Sequence, residues 1–397
     1  MTESLGLIDC DTHCYETRDS GTKFLPDEFT SEAIQTITLV DGNEVIVAGD
    51  RVAAFFSDRN LHAFDQAHRP GSLKEILRQN YAGTLPDTYA LDDMRPEYVD
   101  RDARIRSLDA QGVEKCVLYP STIGWSAENW VRRTDALYAN VHAFNRWYDD
   151  TWGFHYQDRI FATPILSLRD LDEAVKETDY LLGRGARVIV LPTGPAYGRS
   201  PGDPYFDPVW ERLNEAGVTI ALHIHDYWSN STIGPHWGQE PYPTPSEMSA
   251  WQWQNTYGER PVTEMISSLI YDNLFGRFPR LRLLSSEFGC EWVPHFLRHL
   301  DKSRGMGRNG PWIGGTLTDR PSRIFREYVS VVPYPEDDIP WVVDNLGSCE
   351  WMVMGSDWPH PEGLAEPREF ADLISTLPET SQQMILRENA ERMLSVR

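Results

Sequence analysis

Basic residues are scarce in this chain. Its 397 residues include 37 Lys and Arg against 60 Asp and Glu, a formal net charge of −23. Nucleic-acid phosphates and anionic membrane surfaces need the opposite balance, so both are excluded as partners. Long apolar runs are missing as well. No stretch approaches the ~18 apolar residues of a membrane span. The opening Met-Thr-Glu-Ser-Leu has no basic region followed by an apolar one, so no secretory leader is expected. Cysteine is rare and scattered: Cys10, Cys14, Cys116, Cys290 and Cys349, with no CxxC pair. That pattern predicts reduced thiols in a cytoplasmic protein. Gly-x-Gly-x-x-Gly, the P-loop and Gly-x-Ser-x-Gly are absent. His295 and His299 stand four apart but lack the Glu that a zincin helix places after its first His.

What is present is apolar mass in short pieces. Hydrophobic residues make up 41% of the chain, with 14 Trp and 17 Tyr, enough for a large core. Short apolar strands alternate with helical patterns. The strands are expected to end at Ile8, Pro120, Ile165, Leu191, His223, Ser286, Val332 and Ser356, the seventh spanning Phe325–Val332. Helices are expected over Asp102–Gln111, Asp135–Trp152, Asp170–Arg184, Pro208–Ala216, Pro261–Phe275, Glu291–Lys302 and Pro340–Leu346. Strands this uniformly apolar are buried on both faces. Eight βα units predict a TIM (β/α)8 barrel, distorted by insertions at 18–100, 226–260 and 303–320. No linker divides the chain, so residues 1–397 are read as one domain. The first insertion is read as irregular, apart from a small hairpin over 45–48 and 51–56.

A barrel of this kind builds its active site at the C-terminal ends of its strands. The polar residues there are Asp11 and His13 after strand one, His223 and His225 after strand five, Glu287 after strand six and Asp357 after strand eight. Asp11 and His13 are two apart and share a strand face, whereas Asp9 is read as out of phase with Asp11, on the opposite face, and structural. Carboxylate oxygen and imidazole nitrogen together suit one divalent ion, Zn²⁺ or Mn²⁺. The loops offer further groups. Arg51, Arg59, His62, His68 and Arg69 are solvated loop residues or the source of a cation for an anionic substrate. The 226–260 stretch carries Trp228, Trp237 and five other Trp or Tyr residues, and is read as a lid over the site or as a subunit contact.

The motifs Asp11-x-His13-x-x-Glu16 and Gly355-Ser356-Asp357-Trp358-Pro359-His360-Pro361, with the strand-end His223, resemble those of the amidohydrolase-related family. This branch of the amidohydrolase superfamily also holds aminocarboxymuconate-semialdehyde, γ-resorcylate and carboxyvanillate decarboxylases. The resemblance extends through Arg106-x-x-Asp109-x-x-Gly112-Val113, Phe278-Pro279-x-Leu281 and the closing Asn389-Ala390-x-Arg392. It implies a distorted TIM barrel, a homodimer, and one divalent ion held by Asp11, His13, His223 and Asp357. Two departures stand out. Asp11 replaces the first His of the commoner His-x-His, and Glu287 stands where many members carry a His. Glu287 is then a fifth ligand, a general acid/base, or a structural ion-pair partner. His225 is a hydrogen-bond donor, a proton carrier, or simply packed. His360 is expected to support Asp357.

These residues predict a metal-dependent enzyme acting on a small cyclic or aromatic acid. The first expectation is hydrolysis of a C–N or activated C–C bond by a metal-bound hydroxide, with Asp357 or Glu287 moving the proton. The alternative is non-oxidative decarboxylation of a hydroxy- or amino-substituted aromatic acid. A third reading is a catalytically silent barrel that serves as a binding protein.

Overall fold

Asp100 and Gly112 illustrate how local chemistry sets the elements of this chain. The Asp100 carboxylate accepts from the Ala103 N–H at the start of the helix Arg101–Gln111, and Gly112 closes it in the left-handed conformation (φ 72°). In the computed structural model, residues 6–40, 44–53, 66–83, 91–224, 229–243 and 247–395 are described. His225 and Trp228, together with Arg59 and His62 of the first insertion, lie outside them.

The barrel elements run β1 (Leu7–Cys14), α1 (Leu73–Tyr81), α2 (Arg101–Gln111), β2 (Val113–Pro120), α3 (Thr134–Trp152), β3 (Ile160–Ala162), α4 (Leu171–Gly183), β4 (Val188–Val190), α5 (Asp207–Ala216), β5 (Thr219–His223), α6 (Arg260–Tyr271), β6 (Arg282–Ser286), α7 (Val293–Met306), α8 (Pro321–Tyr328), β7 (Val329–Val331), α9 (Ile339–Leu346) and α10 (Asn389–Leu394). Two parallel arcs form, β1-β2-β3 and β4-β5-β6-β7. Single-residue parallel bridges join them. Ile165 pairs with Val190 on one side. On the other, residues 352–358 fill the gap, with Met352 against Val331 and Trp358 against Thr12. The Cys10 N–H donates to Met354 O and the His13 N–H to Trp358 O, which closes the ring. The fold is a TIM barrel, as the βα alternation predicts. Among the described residues no helix is long and apolar enough to cross a membrane.

Three expectations are corrected. The first strand does not end at Ile8 but continues to Cys14, so Asp11 and His13 lie within it. The seventh strand is only Val329–Val331, and Phe325–Tyr328 belongs to α8. Pro321 opens that helix, and Ile324, Phe325 and Tyr328 form its inward face. Buried Phe325 there packs edge-on against Trp292 and near Phe296 and Trp351. The first insertion is more ordered than a run of loops. Ile34–Thr38, Glu44–Ala48 and Arg51–Val52 form an antiparallel sheet, and Gln66–His68 pairs with Leu91–Asp93.

α1 is the part of this insertion that matters for the site. The Gly71 N–H donates to His360 O and the Leu73 N–H to Pro361 O. These two bonds dock α1 on the loop that follows Asp357.

Candidate metal centre and active site

Asp11 and His13 project from β1 into the barrel mouth, where His223 arrives from the end of β5. His13 Nε2 and His223 Nε2 are 3.1 Å apart. Each lies 3.5 Å from Asp11 Oδ1. His13 Nε2 is 3.3 Å from Asp357 Oδ1, and His223 Nε2 is 3.2 Å from Glu287 Oε2. The structure thus brings the four expected ligands and Glu287 to one point.

The tautomers follow from the second ring nitrogens. His13 Nδ1 faces Pro120 O at 3.2 Å and His223 Nδ1 faces Ile224 O at 2.6 Å. A carbonyl only accepts, so each Nδ1 carries the hydrogen and each Nε2 turns a bare lone pair inward. Two lone pairs facing each other repel unless a cation lies between them. The Asp11 carboxylate gives the same indication. Its Oδ1 is buried without a hydrogen bond. Donor atoms bound at about 2.1 Å to one ion would stand about 3.0–3.4 Å from their neighbours. The distances observed here, 3.1–3.5 Å, match that spacing. The donor set fits a divalent ion.

Charge in the cluster is under strain. Burial pushes the Glu287 carboxyl well above the usual range, and the Asp357, Glu362 and Asp11 charges add to it. Burial, then Asp11, pushes Asp357 the same way. His13 is pushed well down by burial and by His360. The backbone is strained too. Glu287 (φ 60°) and Asp357 (φ 55°) both sit in the left-handed region, which costs a residue with a Cβ about 1–2 kcal/mol. Such strain persists where surrounding structure holds it. Gly355 shows how tight that hold is. A Cβ there would lie 2.5 Å from Val332 Cγ1 and 2.7 Å from Asp11 Cβ.

The other motif residues support the cluster. Asp9 faces away from it. Its carboxylate accepts from the Ser356 N–H and hydroxyl and from the Asp11 N–H, pinning β1 to residues 352–358. Glu16 accepts from the N–H groups of Ser121, Thr122 and Ile123 and from the Thr122 hydroxyl. That fixes the loop after β2, where Ser121 Oγ meets His360 Nε2 at 2.9 Å. His360 stacks on His13 with ring centroids 3.9 Å apart, and its Nδ1 lies 2.9 Å from Asp357 Oδ1. From below, Tyr119 lays its ring 4.5 Å from that of His223 and bonds Ser286 Oγ at 2.9 Å.

A hollow of about 300 Å³ opens beside the cluster. Asp11, Asp357, Glu287 and Glu362 face it, with Tyr334 and Leu73 among its walls. Tyr334 is held by its hydroxyl on Glu287 O at 2.5 Å and by its N–H on Asp337 Oδ2 at 2.9 Å. Sequence reasoning missed Glu362, Tyr334 and Leu73. Of these only Glu362, five residues beyond Asp357, was near a recognised motif.

Two expected substrate contacts lie elsewhere. Arg51 sits on the edge of the insertion's small sheet beside Asp50 and does not line the hollow. Trp237 is 67% exposed and packs near Trp251, lining a separate depression. It occupies a short turn, Gly234–Trp237, beside Trp251 of the helix Ala250–Tyr257.

The sequence model of the amidohydrolase family matches residues 8–337. The chain belongs to the amidohydrolase family. An amidohydrolase from Mycobacterium avium subsp. paratuberculosis K-10 is 33% identical, with a TM-score of 0.83 over 98% of this chain and 99% of that one. The 5-carboxyvanillate decarboxylase of Sphingomonas paucimobilis is 18% identical, with a TM-score of 0.62 over 99% of this chain and all of that one (100%), a likeness of fold. The 2-amino-3-carboxymuconate-6-semialdehyde decarboxylase of Dictyostelium discoideum is 20% identical over 302 residues, 75% of this chain and 77% of that one.

Proposed function

We propose that this amidohydrolase-family chain is a divalent-metal-dependent carboxy-lyase that removes CO₂ from a small hydroxy- or amino-substituted aromatic acid. One observation carries the reading. The charged groups among the described residues lining the hollow are all carboxyls: Asp11, Glu287, Glu336, Asp357 and Glu362. Glu336 is paired with Lys74 at 3.2 Å, and among the described residues no cation lines the hollow to hold an acid substrate away from the donor cluster. The substrate carboxylate is therefore directed to the reaction centre, where decarboxylation needs it. A hydrolase for the same acids would hold that carboxylate on a cation away from the bond it cleaves. Two of the relatives, by name decarboxylases of small acids, support the same choice over hydrolysis.

Asp11, His13, His223 and Asp357 would hold the ion, with Glu287 beside them. Bound there, a divalent ion of the zinc or manganese kind supplies positive charge for the carboxylate and a neighbouring substrate oxygen. The chain's own residues do the rest. Leu73 and Tyr334 flank the ring. Glu287 delivers a proton to the ring carbon that bears the carboxylate. The C–C bond then breaks, its electron pair restores the aromatic ring, and CO₂ leaves. Glu287 recovers its proton from solvent.

The test is to incubate the metal-loaded protein with a panel of hydroxylated and amino-substituted benzoates. Released CO₂ with one equivalent of the decarboxylated ring is the expected result. Ammonia or a ring-opened product without CO₂ would replace this reading with hydrolysis.

A further inference from the structure

At the other end of the barrel, where β6 and β7 begin, arginines gather in a chain that is otherwise strongly acidic. A cavity of about 370 Å³ there is lined by Arg282, Arg323, Arg326 and Arg392, with Glu327 and Glu350 as its carboxylates. Four of the 37 basic residues thus face one space.

Neutral acceptors hold three of these guanidinium groups in place. Arg326 donates from Nη1 to Ser348 Oγ at 2.6 Å and from Nη2 to Leu346 O at 3.4 Å. Arg392 donates from Nη2 to Glu350 O at 2.6 Å and Asn389 Oδ1 at 2.9 Å. Asn389 is itself buried and fixed by donating to Cys349 O and Met352 O. Arg282 donates to Pro279 O and Leu281 O and lies over the Tyr328 ring, 5.0 Å from its centroid. Arg323 is the exposed member, 3.4 Å from Asp319. Among the described residues, Arg326 and Arg392 have no carboxylate within ion-pair distance.

Backbone and hydroxyl oxygens orient an arginine without cancelling its charge. Each guanidinium carries five N–H donors in a planar fork, and those of Arg326 and Arg392 spend only part of theirs. Convergent forks of this kind match a tetrahedral dianion, which takes two parallel N–H bonds from each. We propose that this cavity is a phosphate-binding site, separate from the donor cluster at the barrel mouth. Its ligand is inorganic phosphate or the phosphate group of a small monoester.

Thermal unfolding of the metal-loaded full chain tests this at fixed ionic strength. Inorganic phosphate and phenyl phosphate are titrated separately against matched sodium chloride. The midpoint is expected to rise with phosphate. Arg326→Gln should weaken that binding at least tenfold, and so should Arg323→Ala, which touches an exposed side chain and keeps the test open if Arg326→Gln does not fold. Asp357→Asn should leave it in place. Tighter binding of phenyl phosphate supports the site and assigns it to an organic phosphate, and tighter binding of inorganic phosphate supports it and assigns the free ion. The proposal is overturned if phosphate acts no differently from chloride. It is also overturned if the response survives both arginine variants but disappears in Asp357→Asn.

Discussion

His13 and His223 point their bare Nε2 atoms at each other across 3.1 Å, while their Nδ1 hydrogens are spent on Pro120 O and Ile224 O. Strands 210 residues apart in the chain place them so. Neither nitrogen can satisfy the other, and Asp11 Oδ1 beside them is buried without a hydrogen bond. A cation placed between them would satisfy both nitrogens and Asp11 Oδ1 together.

Metal removal should therefore destabilise the protein. Chelation is expected to lower the unfolding midpoint, and adding Mn²⁺ or Zn²⁺ should restore it. An ion at a hundred times its dissociation constant contributes about 2.7 kcal/mol. Asp357→Asn should change sign with the metal. In the chelated protein it removes a carboxyl whose ionisation burial and Asp11 oppose, and should leave the midpoint unchanged or raise it. In the loaded protein it should lower both the midpoint and the bound metal. Scanning fluorimetry with elemental analysis checks both. A midpoint indifferent to chelator, with less than 0.1 ion per chain (a threshold of roughly ten-to-one apo over loaded protein), would sink the metal reading.

Glu287→Gln separates two roles at one position. The amide keeps the shape and an oxygen that can approach an ion, but it has no proton to give. If Glu287 is the acid, turnover should fall about 10²–10⁴-fold with the metal content near that of the parent. Loss of metal in step with turnover would make Glu287 a ligand instead.

Much of this site could be read before any coordinates, for physical reasons that differ by residue. Asp11 and His13 were legible because side chains two apart on a strand share a face. Asp357 was legible because it sits in a dense motif, and Gly355 in that motif proves to be required by the 2.7 Å approach to Asp11 Cβ. Leu73 and Tyr334 were not legible. Leu73 reaches the hollow only because its backbone docks on Pro361, 288 positions away in sequence, and no local pattern encodes that bond. The apolar run Phe325–Val332 misled for another reason. Short apolar stretches suit a buried strand or a helix face equally, and Pro321 was the signal that decided it. Hydrolysis ranked first from residue types alone. The carboxyl-lined hollow, on which the proposed decarboxylation rests, could not be read there, because the lining is a property of the assembled loops.

Acid should loosen the hold of Glu114 on the C-terminal region. Arg387 donates to both carboxylate oxygens of Glu114 and to Gly6 O, tying the C-terminal region to β2 and to the residue before β1. This bidentate contact holds the Glu114 carboxyl below its ordinary value. A carboxyl lowered in the folded state adds stability above its unfolded pKa, and the gain is lost as pH falls through the folded one. The wild type should therefore melt above Glu114→Gln at pH 6, and the two should converge toward pH 3 (about a unit below the ordinary glutamate value). Circular dichroism melts across that range check it; a gap that widens in acid would contradict the assignment.

Which insertion covers the substrate can be decided with two substitutions. Leu73 lines the hollow beside Glu287 and Asp357, whereas Trp237 lies on a separate depression with Trp251. Leu73→Trp adds an indole where the free volume is about 300 Å³, so it should crowd a one-ring substrate. KM should rise about tenfold or more, the equivalent of ~1.4 kcal/mol of lost binding. The metal content should not change, because Leu73 has no donor atom in its side chain. Trp237→Ala should leave KM and kcat within about twofold of the parent, an effect under ~0.5 kcal/mol. If the result is reversed, with Trp237→Ala raising KM and Leu73→Trp silent, then the 229–243 loop closes over the substrate during turnover.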